Sequence, residues 1–419
     1  MRGRAIRITV TAIAVVALAT TACSSSKKSS DGSAGGTSAA TGGTIKIGVI
    51  TDSSGPFSSS FTTTEKGIKA YTESINAAGG VNGKQLDYVM ADTTSTVPGA
   101  LLAAQKLVQK DKVFAVVEVS AVFSGAQPYL LKAGIPVVGG GFDGPEWNVS
   151  SNTNLFAATG VTDYSKVNSA PGEFMKSQGV TVCGSIGYPN ATAGPSAVAV
   201  VKSCEAAGLK NGYLNTQVPT GSTDVGAIAI AMKNAGVDGV SIPVVASTGF
   251  ALAAALKQLG VKLKVLLLAT GYGGDLLASP AAVTAGQGFM FSSVGNPVEA
   301  NTPATQKFVA DLAKVGVTDT PTFAEQEAYI AMSAVDTGLK AAGNNPTQAS
   351  FSTALRAVHD FDAGGLLSPA KIDFSNFAGA AAGAGAGGCI FAATLTNKTF
   401  VPVPGTPLCG KTLPGLTTG

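Results

Sequence analysis

The stretch that decides the fold is IKIGVITDSSGPF, residues 45–57, in which a short apolar strand runs directly into a polar loop. A helical pattern follows over FTTTEKGIKAYTESINAAGG and ends at a pair of glycines, which is typical of a helix C-terminus. A loop that is rich in hydroxyl groups and free backbone amides is suited to holding a small molecule. The sequence therefore predicts a binding loop at the end of its first strand.

The same alternation of strand and helix runs through most of the chain. The strands QLDYVMAD, VFAVVEV and IPVVGGG alternate with helices such as PGALLAAQKLVQKD, and a second set of strands runs from VTVCGSIGY to KVLLLAT. Apolar strands that alternate with amphipathic helices predict a parallel sheet covered on both faces. Two such sets predict an α/β protein with two doubly wound parallel-sheet lobes. Open sheets bind ligands beyond the carboxyl ends of their strands, so the cleft between the lobes is the expected site.

The composition argues against several classes of function. The chain has 419 residues and a net charge of +3, and its Lys and Arg residues are scattered, so nothing indicates a nucleic-acid partner. The single histidine, His359, excludes a metal site built from several histidines. It lies in LRAVHDFD, a context typical of a surface helix residue. We therefore expect no metal and no cofactor.

Three patterns that could indicate an enzyme are weak. GGGFDG matches the glycine spacing of a dinucleotide-binding loop, but PEW follows where the phosphate-binding helix should begin. No G-x-S-x-G nucleophile elbow is present. Ser53 and Ser54 could act as nucleophiles only beside a base, and the sequence offers none near them. We expect a protein that is not an enzyme.

The N-terminus has the features of an export signal. An arginine-rich start precedes the apolar run ITVTAIAVVALA, which is too short to span a bilayer and ends at TTAC. It resembles a bacterial lipoprotein signal, with a signal peptide over residues 1–22 and Cys23 as the lipidated first residue. Thr20 stands where such signals usually carry Leu, and the alternative is an ordinary secretory signal. Residues 23–43 lack apolar periodicity and predict a flexible tether.

The four cysteines after Cys23 predict two structural disulfides in an exported protein. Cys183, Cys204, Cys389 and Cys409 are an even number in an oxidising compartment. Three pairings exist, and we favour Cys183–Cys204 with Cys389–Cys409, because each closes a local loop; the alternative is four free buried thiols. The segment CIFAATLTNKTFVPV, which begins at Cys389, predicts two strands about a turn.

Several phrases resemble the extracellular solute-binding proteins of the leucine/isoleucine/valine type. They are IKIGVITDSSGPF, SINAAGGVNGKQLDYVMAD, AAQKLVQKDKVFAVV, AGIPVV with GPEW after it, and AEQEAYIAMSAVDTGLKAAG. Members of that family have the type I periplasmic-binding fold and deliver a ligand to ABC importers. The resemblance implies a three-crossing hinge between the lobes. One lobe would then hold residues 44–158 and 292–362, and the other residues 159–291 and 363–419.

The resemblance also implies ligand contacts in the first lobe. These fall on Ser60, Phe61, Ser120, Ala121, Val122, Gly141, Phe142 and Asp143. Ser120 and the neighbouring amides match the group that holds a ligand carboxylate. Asp143 departs from the family, because a carboxylate replaces a hydroxyl group, and its alternative role is that of a turn or cap residue. Nearby, Trp147 could either stack on a ligand or pack between lobe and hinge.

The second lobe departs further from the family. The implied contacts are Tyr188, Val245, Thr270, Tyr272 and, at the start of a late helix, Phe323. Ala193 stands where an aromatic residue is usual, and Tyr188 could replace it. Thr270 stands where the family has the acid that meets the ligand's ammonium group. A buried ammonium without a counter-charge is costly. Either Asp143 supplies that charge or the ligand is not a zwitterion.

The sequence thus predicts a monomeric binding protein tethered by lipid to the outer face of a bacterial cell membrane. Its expected ligand is a small organic molecule, namely a branched-chain or other amino acid, an amide or an aromatic acid. Hinge closure would capture this ligand, and an ABC transporter permease would receive it. The alternative is a ligand sensor coupled to a signalling partner.

Overall fold

A computed structural model describes residues 43–141 and 143–419. The predicted signal peptide, the lipidation site at Cys23, nearly all of the predicted tether and Phe142 lie outside these described residues. Within them, no helix is both long enough and apolar enough to cross a membrane.

The described residues form β-strands and α-helices in regular alternation. The strands are β1 Thr44–Thr51, β2 Gln85–Asp92, β3 Ala115–Val119, β4 Val137–Gly139, β5 Leu155–Ala157, β6 Thr162–Asn168, β7 Val182–Ile186, β8 Lys210–Asn215, β9 Gly239–Ile242, β10 Val265–Leu268, β11 Met290–Ser292, β12 Ala380–Ala382, β13 Cys389–Ile390, β14 Ala392–Thr396, β15 Thr399–Pro402, β16 Leu408–Cys409 and β17 Thr412–Thr417. The helices are α1 Ser58–Phe61, α2 Thr64–Ala77, α3 Val97–Gln105, α4 Gln127–Ala133, α5 Ala170–Ser177, α6 Ala193–Ala206, α7 Gly226–Asn234, α8 Ala246–Gln258, α9 Gly274–Leu277, α10 Pro280–Ala285, α11 Pro303–Lys314, α12 Phe323–Ala342 and α13 Gln348–Arg356.

The first sheet is entirely parallel, with the strand order β2-β1-β3-β4-β5. All five residues of β3 are buried, as expected for a central strand covered on both faces. The long helix α12 packs against β3 and β4 and is buried along most of its length. We call this sheet and the helices packed on it the first lobe.

The second sheet has the order β15-β14-β11-β10-β9-β7-β8. Its strands from β8 to β11 are parallel, whereas β14 pairs antiparallel with β11 and β15 antiparallel with β14. The predicted pair of strands about a turn is therefore confirmed as the hairpin β14–β15. It adds an antiparallel edge to an otherwise parallel sheet, which is common in large α/β sheets. We call this sheet and its helices the second lobe.

The chain passes between the two sheets three times: after β5, after β11 and before β14. A small sheet of the order β12-β6-β17 joins strands from two of these connections to the last strand, β17. The predicted fold, two doubly wound α/β lobes, is confirmed. The lobe boundaries stay a prediction. Residues 363–374 contribute Leu366, Leu367, Ile372 and Phe374 to the core of the first lobe, which extends that core past the predicted boundary at residue 362.

The structure pairs the cysteines as the sequence predicts. Cys183 bonds to Cys204 and connects β7 to α6. Cys389 bonds to Cys409 and connects the short strands β13 and β16. Both bonds close local loops, with sequence separations of 21 and 20 residues.

Gly67 allows α2 to lie unusually close to α12. A Cβ atom at this position would lie 2.3 Å from the carbonyl oxygen of Glu325. Because this oxygen belongs to the backbone of α12, the two helices would have to separate to admit a side chain.

We expect Gly67→Ala to lower the free energy of unfolding by about 1–3 kcal/mol, the usual cost of overpacking. Urea unfolding measures it. Gly226→Ala is the matched control, because a Cβ atom at that helical position meets no atom within 4 Å. Its stability should stay the same or rise slightly. Equal stability of the two variants would contradict the close helix contact.

Candidate functional site

A cavity of about 470 Å³ is lined by residues of both lobes, at the carboxyl ends of the parallel strands. The first lobe contributes the loops after β1, β3, β4 and β5 together with the start of α12. The second lobe contributes the loops after β9 and β10 and the first turn of α6. This is where open α/β sheets hold ligands, because the loops of adjacent strands diverge there and leave a crevice.

The structure brings only part of the predicted contact set to this cavity. The predicted residues in its wall are Ser60, Phe61, Ala121, Val245, Thr270, Tyr272 and Phe323. Those that lie outside the wall are Ser120, Val122, Gly141, Asp143 and Tyr188. Ala193, which stands where the family has an aromatic residue, is also in the wall. The roles of all these residues in binding stay predictions.

Ser120 is fully buried and hydrogen-bonded within the protein. Its Oγ donates to Asp52 Oδ1 over 2.7 Å, and the backbone amide of Ala121 donates to Asp52 Oδ2 over 2.8 Å. The hydroxyl group of Thr93 donates to the same carboxylate. The donors that the resemblance assigns to a ligand carboxylate are thus taken by Asp52. A bulky residue in place of Ser120 would disrupt this buried network, so it is a poor test of ligand binding.

Asp143 faces Trp147 rather than the cavity. Its Oδ1 accepts a hydrogen bond of 2.7 Å from the Trp147 indole, and its Oδ2 is buried with no hydrogen-bond partner among the described residues. Burial and then the nearby charge of Glu146 raise the pKa of Asp143 to about 7. Trp147 is itself buried and stacks on Phe123 with ring centroids 5.3 Å apart. Trp147 is therefore a packing residue of the first lobe.

The two tyrosines of the second lobe also have partners within the protein. Tyr188 is buried and its hydroxyl group shares a hydrogen bond of 2.9 Å with Thr248, which directs it toward α8. Tyr272 lies in the cavity wall, and its hydroxyl group donates to Glu299 Oε2 over 2.8 Å. Burial and the charge of Glu299 raise the pKa of Tyr272 well above its ordinary value. Tyr272 thus offers its ring, rather than a free hydroxyl group, to the cavity.

The hydroxyl group of Thr270 is able to bind a ligand. It lies in the wall, and its Oγ1 is buried without a hydrogen-bond partner among the described residues. A hydroxyl group can donate one hydrogen bond and accept others, but it carries no charge. The position thus fits a neutral polar group of a ligand.

Glu327 is a wall residue that the sequence analysis missed. It lies on α12, is only 1% exposed, and its Oε1 has no hydrogen-bond partner in the described part of the chain. Burial raises the pKa of Glu327 to about 8. A signal was available, because Glu327 follows Phe323 by four residues and positions four apart share one face of a helix.

The charged side chains of the wall are acidic. No Lys, Arg or His is among the described residues that line the cavity, whereas Glu327 and the more exposed Asp275 are both present. Behind the wall, Glu118 is fully buried. Its pKa is raised well above the ordinary value, chiefly by burial and then by the charges of Asp143 and Glu327. The arrangement is suited to binding neutral or positively charged groups.

The remaining candidates for chemistry lie away from the cavity. His359 is exposed, and its Nδ1 lies 2.8 Å from Asp373 Oδ1. The hydroxyl group of Ser54 donates to Asp92 Oδ2 over 2.5 Å rather than to a base. Within the described ranges, no group of three or more His, Cys, Asp and Glu side chains is arranged to hold a metal ion.

Comparisons with known proteins agree with this geometry. A family model described as periplasmic binding protein matches residues 44–399. A search of proteins with curated function found no significant match.

Solved structures with the same fold include three ABC-transporter binding proteins. One from Rhodopseudomonas palustris HaA2, in complex with p-hydroxybenzoic acid, is 20% identical, with a TM-score of 0.68 over 88% of this chain and 97% of that chain. LivJ from Streptococcus pneumoniae, in complex with isoleucine, is 20% identical, with a TM-score of 0.66 over 88% and 99%. A fatty acid binding protein from Thermomonospora curvata is 19% identical, with a TM-score of 0.69 over 88% and 92%. At such identities the likeness concerns the fold.

The hydrogen bond between Trp147 and Asp143 predicts that tryptophan fluorescence depends on pH. Trp147 is the single tryptophan of the chain, so its fluorescence reports on this carboxyl group. We expect the emission to titrate with a midpoint near pH 7, since the group is neutral below its raised pKa and ionised above it. Fluorescence recorded across the pH range measures this midpoint.

Two variants control this titration. Asp143→Asn should abolish it, and Glu146→Gln should move it to lower pH, because the charge of Glu146 raises the pKa of Asp143. A wild-type profile that is flat through neutral pH, or a titration that survives Asp143→Asn, would disprove the assignment.

Proposed function

Since the chain belongs to the periplasmic binding protein family, we propose that it is an extracytoplasmic solute-binding lipoprotein that captures a small organic ligand and delivers it to an ABC import permease. The observation that carries the proposal is the cavity of about 470 Å³ with walls from both lobes. Its size is within the range of small-molecule sites, and its wall combines aromatic and aliphatic side chains with many hydroxyl-bearing residues and two acids.

Capture by hinge closure follows from the way the lobes are connected. Three chain segments cross between the sheets, so the lobes can rotate about these crossings without breaking either core. The ligand docks first on Ser60, Phe61 and Ala121 of the first lobe. Closure then brings Val245, Thr270 and Tyr272 of the second lobe onto it. The closed form is stabilised by contacts that the open form lacks, and this is the form that a permease recognises.

Export and anchoring complete the proposal. The N-terminal pattern supports a signal peptide over residues 1–22 and a lipid on Cys23. The two disulfides agree with an oxidising compartment. A tether over residues 23–43 would keep the monomeric binding body close to the membrane and within reach of a permease.

Thermal unfolding against a panel of small molecules tests the binding function. The panel holds branched-chain and aromatic amino acids, amides, aromatic acids, amines and polyols. A ligand present at a hundred times its dissociation constant adds about 2.7 kcal/mol to the stability of the folded state, which raises the unfolding temperature. If no class of compound raises it, the proposed function is refuted.

A variant pair places the binding in the cavity. Ala121→Trp fills the cavity from the first lobe, and it should abolish the ligand-induced rise while leaving the unfolding temperature of the free protein nearly unchanged, because the position is exposed. Ala133→Trp, at an exposed position on α4 outside the cavity wall, is the matched control and should keep the full response. An unaltered response of Ala121→Trp would place the ligand elsewhere.

A further inference from the structure

We propose that the ligand is a small amine with an apolar body, whose ammonium group binds the Glu327 carboxylate, and that it carries no carboxylate of its own. The inference rests on the proposed function, and it specifies the chemical class that the cavity selects. It differs from the zwitterionic amino acids and organic acids that the fold also accommodates in other proteins.

Glu327 provides the first argument. Its side chain is almost fully buried in the cavity wall, and one of its carboxyl oxygens has no hydrogen-bond partner among the described residues. A buried polar atom without a partner is costly, and in native proteins such atoms indicate a missing ligand or a functional role. An ammonium group from the ligand would supply both the hydrogen-bond donor and the counter-charge.

Charge balance provides the second argument. The described part of the wall has no Lys, Arg or His, and the titratable groups in the wall or directly behind it are acids and phenols. They are Glu118 on β3, Asp275 at the start of α9, and Tyr272 and Tyr164 in the wall. A cation entering the cavity meets only negative or neutral groups, whereas an anion meets no compensating charge.

The usual donors for a carboxylate provide the third argument. Asp52 accepts hydrogen bonds from Ser120 Oγ and the Ala121 amide at the end of β3. At the start of α6, Asn190 Oδ1 accepts from the amides of Thr192 and Ala193 over 3.1 and 2.7 Å. The Ser120 hydroxyl group and these three backbone amides are therefore already paired within the protein.

The other helix N-termini at the cavity differ from one another. The first turn of α12 is closed by a capping box between Thr322 and Glu325. By contrast, α8 begins beside Val245 without a side-chain cap, and α1 and α9 also begin at the cavity without one, so the first amides of these helices are places where a carboxylate could bind. The experiment below contains a carboxylate probe for this reason.

The apolar part of the ligand has matching surface. Phe61 and Phe323 meet edge to face with ring centroids 6.2 Å apart, and both lie in the wall near the start of α12. Val245, Leu267 and Ile390 line other parts of the cavity. An aliphatic chain or a single ring attached to the ammonium group would bury its surface against these side chains.

A matched series of compounds tests the inference, with the apolar body kept constant while the polar groups change. The probes are isopentylamine, leucine, isocaproate and isopentanol, and the aromatic set is phenethylamine, phenylalanine, hydrocinnamate and phenethyl alcohol. Calorimetric titration and thermal unfolding of the purified protein report the affinities. We expect the amine of at least one set to bind more tightly than its three analogues, by about tenfold or more, the usual effect of a charged hydrogen bond.

Two variants identify the carboxyl group. Glu327→Gln keeps the shape but cannot ionise to pair with the ammonium group, and it should weaken binding of the amine by about tenfold to a hundredfold without lowering the unfolding temperature of the free protein. Asp275→Asn removes the other carboxyl group of the wall, and it should change the affinity by less than about threefold, since this side chain is more exposed to solvent than that of Glu327.

Several results would overturn the inference. Binding of leucine or isocaproate at least as tight as that of the amine would mean that the cavity holds an anion, and equal binding of the alcohol would mean that charge is not recognised. In both cases the proposed function stands. Amine binding that survives Glu327→Gln but is lost in Asp275→Asn would assign recognition to the other acid. A lack of binding by all eight probes would also refute the inference, while the wider panel above decides the function separately.

Discussion

The buried carboxylate of Asp52 is the interaction on which the candidate site depends. Asp52 follows β1, the strand between β2 and β3, and its oxygens accept hydrogen bonds from Thr93 after β2 and from Ser120 and Ala121 after β3. A buried carboxylate is stable only when such donors surround it. The network connects the carboxyl ends of three adjacent strands, and it consumes donors that would otherwise face a ligand. At this edge of the first lobe, these donors are therefore paired within the protein.

The acids behind this edge determine the character of the cavity. Glu118, Asp143 and Glu327 are carboxyl groups in the first lobe whose pKa values are raised by burial and, for the first two, by neighbouring charges. Only Glu327 of the three lies in the wall, and no basic side chain from the described residues lies in the wall with it. Thr270, in the second lobe, adds a hydroxyl group rather than a second charge. The wall thus has a buried acid, Glu327, on the first lobe and a more exposed acid, Asp275, on the second.

Local sequence patterns predicted the fold well, and the site only in part. Periodicity and spacing reveal the alternation of strands and helices, the hairpin β14–β15 and both disulfides, because each depends on residues that are close in the chain. The hydrogen bond between Asp52 and Ser120 joins residues 68 positions apart, and no local pattern indicates that a serine at a strand end faces an internal carboxylate. The hydrogen bond between Tyr188 and Thr248 likewise joins distant residues, 60 positions apart, which no local pattern indicates. Glu327 could have been found from its helical spacing to Phe323.

A crystal structure of the protein with isopentylamine, or with an amine found by titration, tests the central claim most directly. The account predicts a ligand enclosed between the lobes, with its nitrogen about 2.7–3.2 Å from a carboxyl oxygen of Glu327 and its apolar part against Phe61 and Phe323. A ligand bound outside this cavity would contradict the account, and so would a nitrogen that points away from Glu327.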